Sequence, residues 1–190
     1  MAHYFESLPR IDYDMGRAGT TQKAVDITKR FRLRDVLKTQ SVLYVPWLIQ
    51  SGQRPDTVAE LYYADPLLDW LIMIANDRLD YFFEWPMDHW QFAEHVKAKY
   101  GSLSAAHQTV HHYEWIVRPD EYELDGTLIS ERVVICDKTK YTSLPDNQRR
   151  IVSLFTEEQR KNDALKRIRL VHKSFVPQIT KEVEELYRRG

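Results

Sequence analysis

The sequence predicts an α+β protein: a small strand–helix–helix–strand core with an extended N-terminal arm, a β-hairpin and C-terminal helices. Three observations lead there. Residues 42–49 (VLYVPWLI) are short, β-branched and aromatic in the manner of a strand. Two segments opened by proline follow, each with apolar residues at helical spacing. Further on, two strand-like runs at 110–117 and 128–136 flank the turn signal Asp125-Gly126. The chain divides accordingly into an arm at 1–38, the core with a following helix at 39–101, and the hairpin with a helical region at 102–190.

The arm scatters Phe5, Leu8, Ile11 and Tyr13 among Pro9, Gly16, Gly19 and polar residues, with no sustained period. Such a segment buries little of itself and is expected either to fray or to lie across a partner. Residues 30–38 fit a short helix, although RFRLR also alternates like a strand. In the core, Pro46 cannot donate to a ladder, which places the 42–49 strand at an edge or a bulge. Gly52 supplies a positive φ in the polar turn 50–54. Pro55 then opens a first helix carrying Val58, Leu61 and Tyr62. Asp65 caps a second, with Pro66 at its first position and Leu67, Trp70, Leu71 and Ile74 as its stripe. Trp70 is therefore expected in the core.

Asn76 and Asp77 end that helix, and residues 79–83 are expected to return as the second strand. Asp88 and Gln91 have capping-box spacing ahead of a third helix, which Gly101 stops. Trp90, Ala93, Val96 and Tyr100 would line its buried side. Beyond the hairpin, Thr156 and Gln159 offer another capping box for a charged helix. Residues 167–171 alternate basic and apolar like a strand. Pro177 sits early in a last helix with Ile179, Val183 and Leu186 on one face.

Composition narrows the class. Of 190 residues, 43% are hydrophobic, enough apolar surface to exclude a wholly disordered chain. With 27 basic and 28 acidic side chains, the net charge of −1 creates no overall field for nucleic acid or an anionic membrane. The single cysteine, Cys136, cannot make an internal disulfide. The opening MAHYFESLPR lacks the apolar stretch of a signal peptide, and no apolar run approaches the length of a bilayer span. A soluble protein made in a cytoplasm is expected.

Few residues have the pattern of a reactive site. His107 and His111 are spaced i, i+4, with His112 and Glu114 close behind. On a helix the pair could share a metal. In a strand, however, His111 and His112 point to opposite faces, so no metal site is expected. Neither a nucleophile elbow nor a Gly-rich phosphate loop is present, and neither catalytic residues nor a cofactor are expected. Aromatics make up 12% and crowd residues 47–90, some as core and some as partner anchors. The basic run around Arg167 and Arg169 reads as a solvated or partner-facing surface. Candidate partner-binding residues are Tyr4, Phe5 and Ile11 of the arm, Phe83 and Trp85 of the aromatic cluster, and Arg167 and Arg169.

The stretch QSGQRPDTVAELYYADPLLDWLIMIAN resembles a LysM module in its order of elements, with Gly52-Gln53-Arg54-Pro55 in place of the usual Gly-Asp-Thr turn. A longer likeness rests on Tyr4-Phe5 with Pro9 and Ile11, on Arg54-Pro55-Asp56, Asp69-Trp70 and Trp85-Pro86. It continues through Lys99-Tyr100-Gly101, His111 to Glu114, and Asn162 through Arg169. In these the chain resembles the small baseplate wedge subunits of contractile-tailed bacteriophages, the T-even gene fifty-three product family. That resemblance implies a structural virion protein with a LysM-like core and no catalysis, joining neighbouring wedges around the hub near the tail tube and sheath start. Its implied partners are the inner-core wedge subunits, a lysozyme-like sheath initiator and copies of itself in a sixfold ring. Neither nucleic acid nor membrane is among them. The alternative expectation is a peptidoglycan-binding LysM-type module.

Overall fold

The computed structural model describes residues 8–14, 19, 21–28, 41–123 and 126–189. In chain order the elements begin with strands β1 (Arg10–Tyr13), β2 (Gln22–Val25) and β3 (Tyr44–Leu48). Helices α1 (Pro55–Tyr63), α2 (Asp69–Ala75), α3 (Tyr81–Glu84), α4 (His89–Tyr100) and α5 (Leu103–Gln108) follow. Then come β4 (Val110–Arg118), β5 (Glu121–Tyr122), β6 (Leu128–Ile129), β7 (Arg132–Cys136) and α6 (Lys138–Ser143). The chain closes with β8 (Arg149–Ser153), α7 (Leu154–Lys166), β9 (Arg167–Val171) and α8 (Val176–Arg189).

Two compact units result. One takes the described residues up to Pro86 together with those from Leu165 onward; the other runs from Met87 to Ala164. This division departs from the expected boundaries because the core is closed by a strand from the far end of the sequence. β3 pairs antiparallel with β9, Pro46 opposite Arg169. Within the described residues β3 has no second partner, so the proline lies on an edge strand as its missing N–H requires.

The strand–helix–helix–strand order therefore exists, but residues 79–83 do not supply its second strand. They form α3 instead, capped by the Asp80 carboxylate, which accepts from Phe82 N at 2.7 Å. Asn76 explains why β9 needs no further strand beside it. The carboxamide donates to Arg169 O at 2.9 Å and accepts from Arg169 N at 2.9 Å, imitating a neighbouring backbone. It also donates to Ile72 O at 2.8 Å, tying the end of α2 to the sheet.

Val58, Ala59, Leu71, Ile72, Ala75 and Leu170 are fully buried at the centre of this unit. Each large aliphatic side chain removed from water there contributes about 1.5–3 kcal/mol. Trp70 packs against this core, half-buried. Leu67 is exposed and Leu68 takes the inward position, because Asp65 and Pro66 open a 3-10 turn (Pro66–Leu68) before α2. That turn's three-residue period shifts the phase of the stripe. The described part of the arm is not bare chain either. β1 and β2 pair antiparallel, and Leu8 is buried against Val183 of α8, with Trp70 and Ile179 beside it. Leu186 is exposed. Tyr4, Phe5 and residues 30–38 lie outside the described residues.

In the second unit, β4 lies between β7 and β8 in an antiparallel sheet, and β5 pairs with β6 towards the hairpin tip. Gly126 takes φ 85° there, as the Asp-Gly signal required. The capping box of Asp88 and Gln91 opens α4, and Gly101 ends it at φ 84°. Its inner face carries Phe92 and Val96, with Tyr100 packed beside them and Ala93 half-buried as expected; Trp90 alone of the expected stripe is exposed. α7 starts before Thr156: Ser153 Oγ accepts from Thr156 N at 3.2 Å.

Candidate functional site

The segment around α3 sorts its aromatic residues to opposite sides. Trp85 is 4% exposed and its indole N–H donates to Gln53 O at 2.7 Å. The Arg78 guanidinium lies 5.3 Å from the Trp85 ring and donates to Leu165 O at 2.5 Å. Tyr81 is held by Trp85 at 6.3 Å between ring centroids and by Arg54 over its face at 5.4 Å. Glu84 accepts from the backbone N–H of Asp80 at 2.9 Å and from that of Leu79. Those two N–H groups hold its carboxyl below the usual range, with Arg78 adding to the effect.

Pinned in this way, the segment presents Phe82 at 82% and Phe83 at 84% exposure, with Leu79 also exposed. Leaving two adjacent phenylalanines in water forgoes about 1.5–3 kcal/mol each relative to burial. Exposed large apolar side chains held on a rigid segment are the kind of surface that protein–protein contacts use.

The other candidates separate into surface and support. Ile11, on β1, and Arg167, at the start of β9, are exposed. Arg169 is half-buried and internal in its bonding: Nε donates to Ala75 O at 2.9 Å and the guanidinium covers Tyr44 at 4.8 Å. Trp85 and Arg169, both expected as partner residues, brace the first unit from inside. The exposure of Leu79 and Phe82 beside Phe83 was not singled out from the sequence. The signal lay in Asp80 and Glu84, a short helix's cap and its return bond, hidden by reading the segment as a strand.

The second unit holds charge where the first holds hydrocarbon. Glu114, 5% exposed on β4, accepts from Arg160 at 2.5 and 3.2 Å and from His112 Nε2 at 3.3 Å. Arg150 forks onto Glu131 at 2.7 and 2.8 Å and reaches Glu114 at 3.5 Å. Buried Glu158 accepts from Lys99, Tyr100 and Lys161, each at 3.1 Å. Burial works to raise the Glu158 carboxyl, but those three hydrogen bonds outweigh it and leave the pKa at about 2. At Glu114 burial is likewise overcome, by Arg160 and His112 first, and the carboxyl is held down. Carboxyls kept ionised this firmly are poorly matched to proton transfer near neutral pH, and they work as structural ties.

One further group stands out. His111, His112 and Glu157 each offer a ligand atom within 4.8 Å of the others. The expectation that the two histidines face apart fails because β4 bulges there: Val110 opposes Ser153 and His112 opposes Val152, leaving His111 as the extra residue.

No helix among the described residues is long and apolar enough to cross a membrane. Comparison with curated proteins gives no match. Residues 4–122, however, match the phage family described as Base plate wedge protein 53. The matched stretch includes β1 to β5 and the whole α3 segment, and covers more than half of the 190 residues. The chain belongs to the Base plate wedge protein 53 family, a structural component of the bacteriophage tail baseplate.

Proposed function

We propose that the chain joins neighbouring wedges around the baseplate hub, near the tail tube and the start of the sheath, and that the face formed by Leu79, Phe82 and Phe83 is one of its contacts. A LysM-like core serves here as scaffold: β3, α1, α2 and β9 hold the α3 segment rigid from behind. The partners are inner-core wedge subunits, the lysozyme-like sheath initiator and neighbouring copies in a sixfold ring. Ile11 and Arg167 add exposed apolar and basic positions of the same unit to the contact surface.

One observation carries this reading. Two adjacent phenylalanines, each more than four-fifths exposed, sit on a segment whose other aromatics are locked inward. Burying such anchors in a partner supplies hot-spot energy without any ordering of the segment itself. The test is the double variant Phe82→Ser, Phe83→Ser. It should keep the circular dichroism and melting temperature of the parent and fail to enter assembled baseplates. Normal incorporation of that folded variant would overturn the assignment.

A further inference from the structure

The geometry points to a divalent transition-metal site of the zinc class, formed by His111, His112 and Glu157. Two imidazoles and one carboxylate are a donor set that suits zinc and its neighbours better than calcium or magnesium. They come from two elements of the second unit, the bulge of β4 and the first turn of α7. β8 runs antiparallel to β4 and leads directly into α7, and Leu154 N donates to Thr109 O at 3.0 Å, which fixes the start of the helix beside the bulge.

Three details agree with metal binding. The Nδ1 atoms of His111 and His112 face each other at 2.6 Å, an arrangement in which two lone pairs repel unless a proton or a cation lies between them. His112 Nε2–H donates to Glu114 at 3.3 Å, which leaves Nδ1 as the free lone pair. A ligating histidine whose other ring nitrogen is held by a carboxylate is the usual supporting arrangement for such ions. That carboxylate is itself fixed by Arg160 and Arg150, so the His112 ring is oriented in advance.

Binding requires two local adjustments. Donor atoms around a tetrahedral ion lie roughly 3.3 Å apart, given metal–ligand distances of about 2.0–2.1 Å. His111 is exposed and free to turn outward from its 2.6 Å contact. The Glu157 side chain, half-buried, has to give up the Lys161 ammonium, 3.6 Å from one oxygen. Three protein ligands leave a fourth position for water. The ion would clasp the β8–α7 corner to β4, so occupancy should raise the melting temperature in proportion to free metal.

Untagged full-length protein, freed of metal by chelation, is titrated with zinc chloride by calorimetry, and cobalt(II) is then substituted to record its visible absorption. One equivalent of zinc, a four-coordinate cobalt spectrum and at least tenfold weaker binding in both His111→Ala and Glu157→Gln are expected. Lys161→Ala should bind at least as tightly as the parent. Circular dichroism of the variants separates lost ligation from lost fold, and both replaced side chains lie near the surface. Absence of stoichiometric zinc binding, or unchanged affinity in either folded ligand variant, would overturn the site.

Discussion

The two units are held together by different physics. In the first, Leu71, Ile72, Val58 and Leu170 are sealed from water, and polar groups such as the Trp85 indole and the Asn76 carboxamide each find a backbone partner. In the second, the apolar cluster is small, with Phe92, Val96 and Ala106 as its buried members. Much of its cohesion runs through Glu114 and Glu158 and the cations around them. The comparison teaches that a discontinuous core, assembled from both ends of the sequence, relies on burial. The segment inserted between α3 and β9 relies on paired charge. Burial is indifferent to pH, whereas paired charge is not.

The sharpest break in the comparison should come from Leu71→Ala. It removes hydrocarbon from a fully buried position and should cost about 2–5 kcal/mol, read by chemical denaturation. A smaller loss is expected in the second unit from Glu114→Ala. It leaves the Arg160 and Arg150 guanidinium groups without their shared carboxylate and should cost about 1–3 kcal/mol. Equal losses from both variants would remove the distinction.

Acid should separate the units more gently. Glu114, Glu131 and Glu158 of the second unit are all held below the ordinary value of 4.5 in the folded state, Glu158 at about 2. A depressed folded pKa gives stability that is complete above the unfolded value and is lost as pH falls through the folded one. The second unit should therefore weaken as pH drops from about 5 towards 2. In the first unit the effects oppose each other. Glu84 is held down by backbone N–H groups, while burial raises Asp69, whose protonation in acid relieves strain rather than adding it. Hydrogen exchange at pH 6 and pH 3.5, corrected for intrinsic rates, should show protection falling first in α4, β4 and α7. Loss led by α2 and β9 would reverse the argument. The least effect on stability, within about 0.5 kcal/mol, is expected for Phe82→Ser, since its ring touches water already.

What the sequence made legible was local chemistry. The box of Asp88 and Gln91, the stop at Gly101, the edge proline Pro46 and the hairpin around Gly126 each depend on a few adjacent residues. Strand pairing across the inserted unit is another matter. Residues 167–171 read correctly as a strand, yet nothing near them says that Tyr44 will face Val171. The nearest strand-like run, 79–83, folds as α3, and the closing strand comes from 167–171. The candidate site was half legible for a similar reason. Aromatic crowding marked the region, but which of Phe83 and Trp85 faces water depends on Gln53, Arg78 and Leu165, which the local pattern does not reveal. The bulge at His111 breaks the alternation that sent two neighbouring histidines to opposite faces.

The central claim is that the outward face of α3 is an assembly contact in the baseplate. Hydroxyl-radical footprinting with mass spectrometry reads it directly, by comparing oxidation of Phe82 and Phe83 in the free protein and in purified baseplates. The account predicts strong labelling of both rings in the free chain and protection of both in the baseplate, with buried Trp85 weakly labelled throughout. Equal labelling of Phe82 and Phe83 in the two states would contradict it.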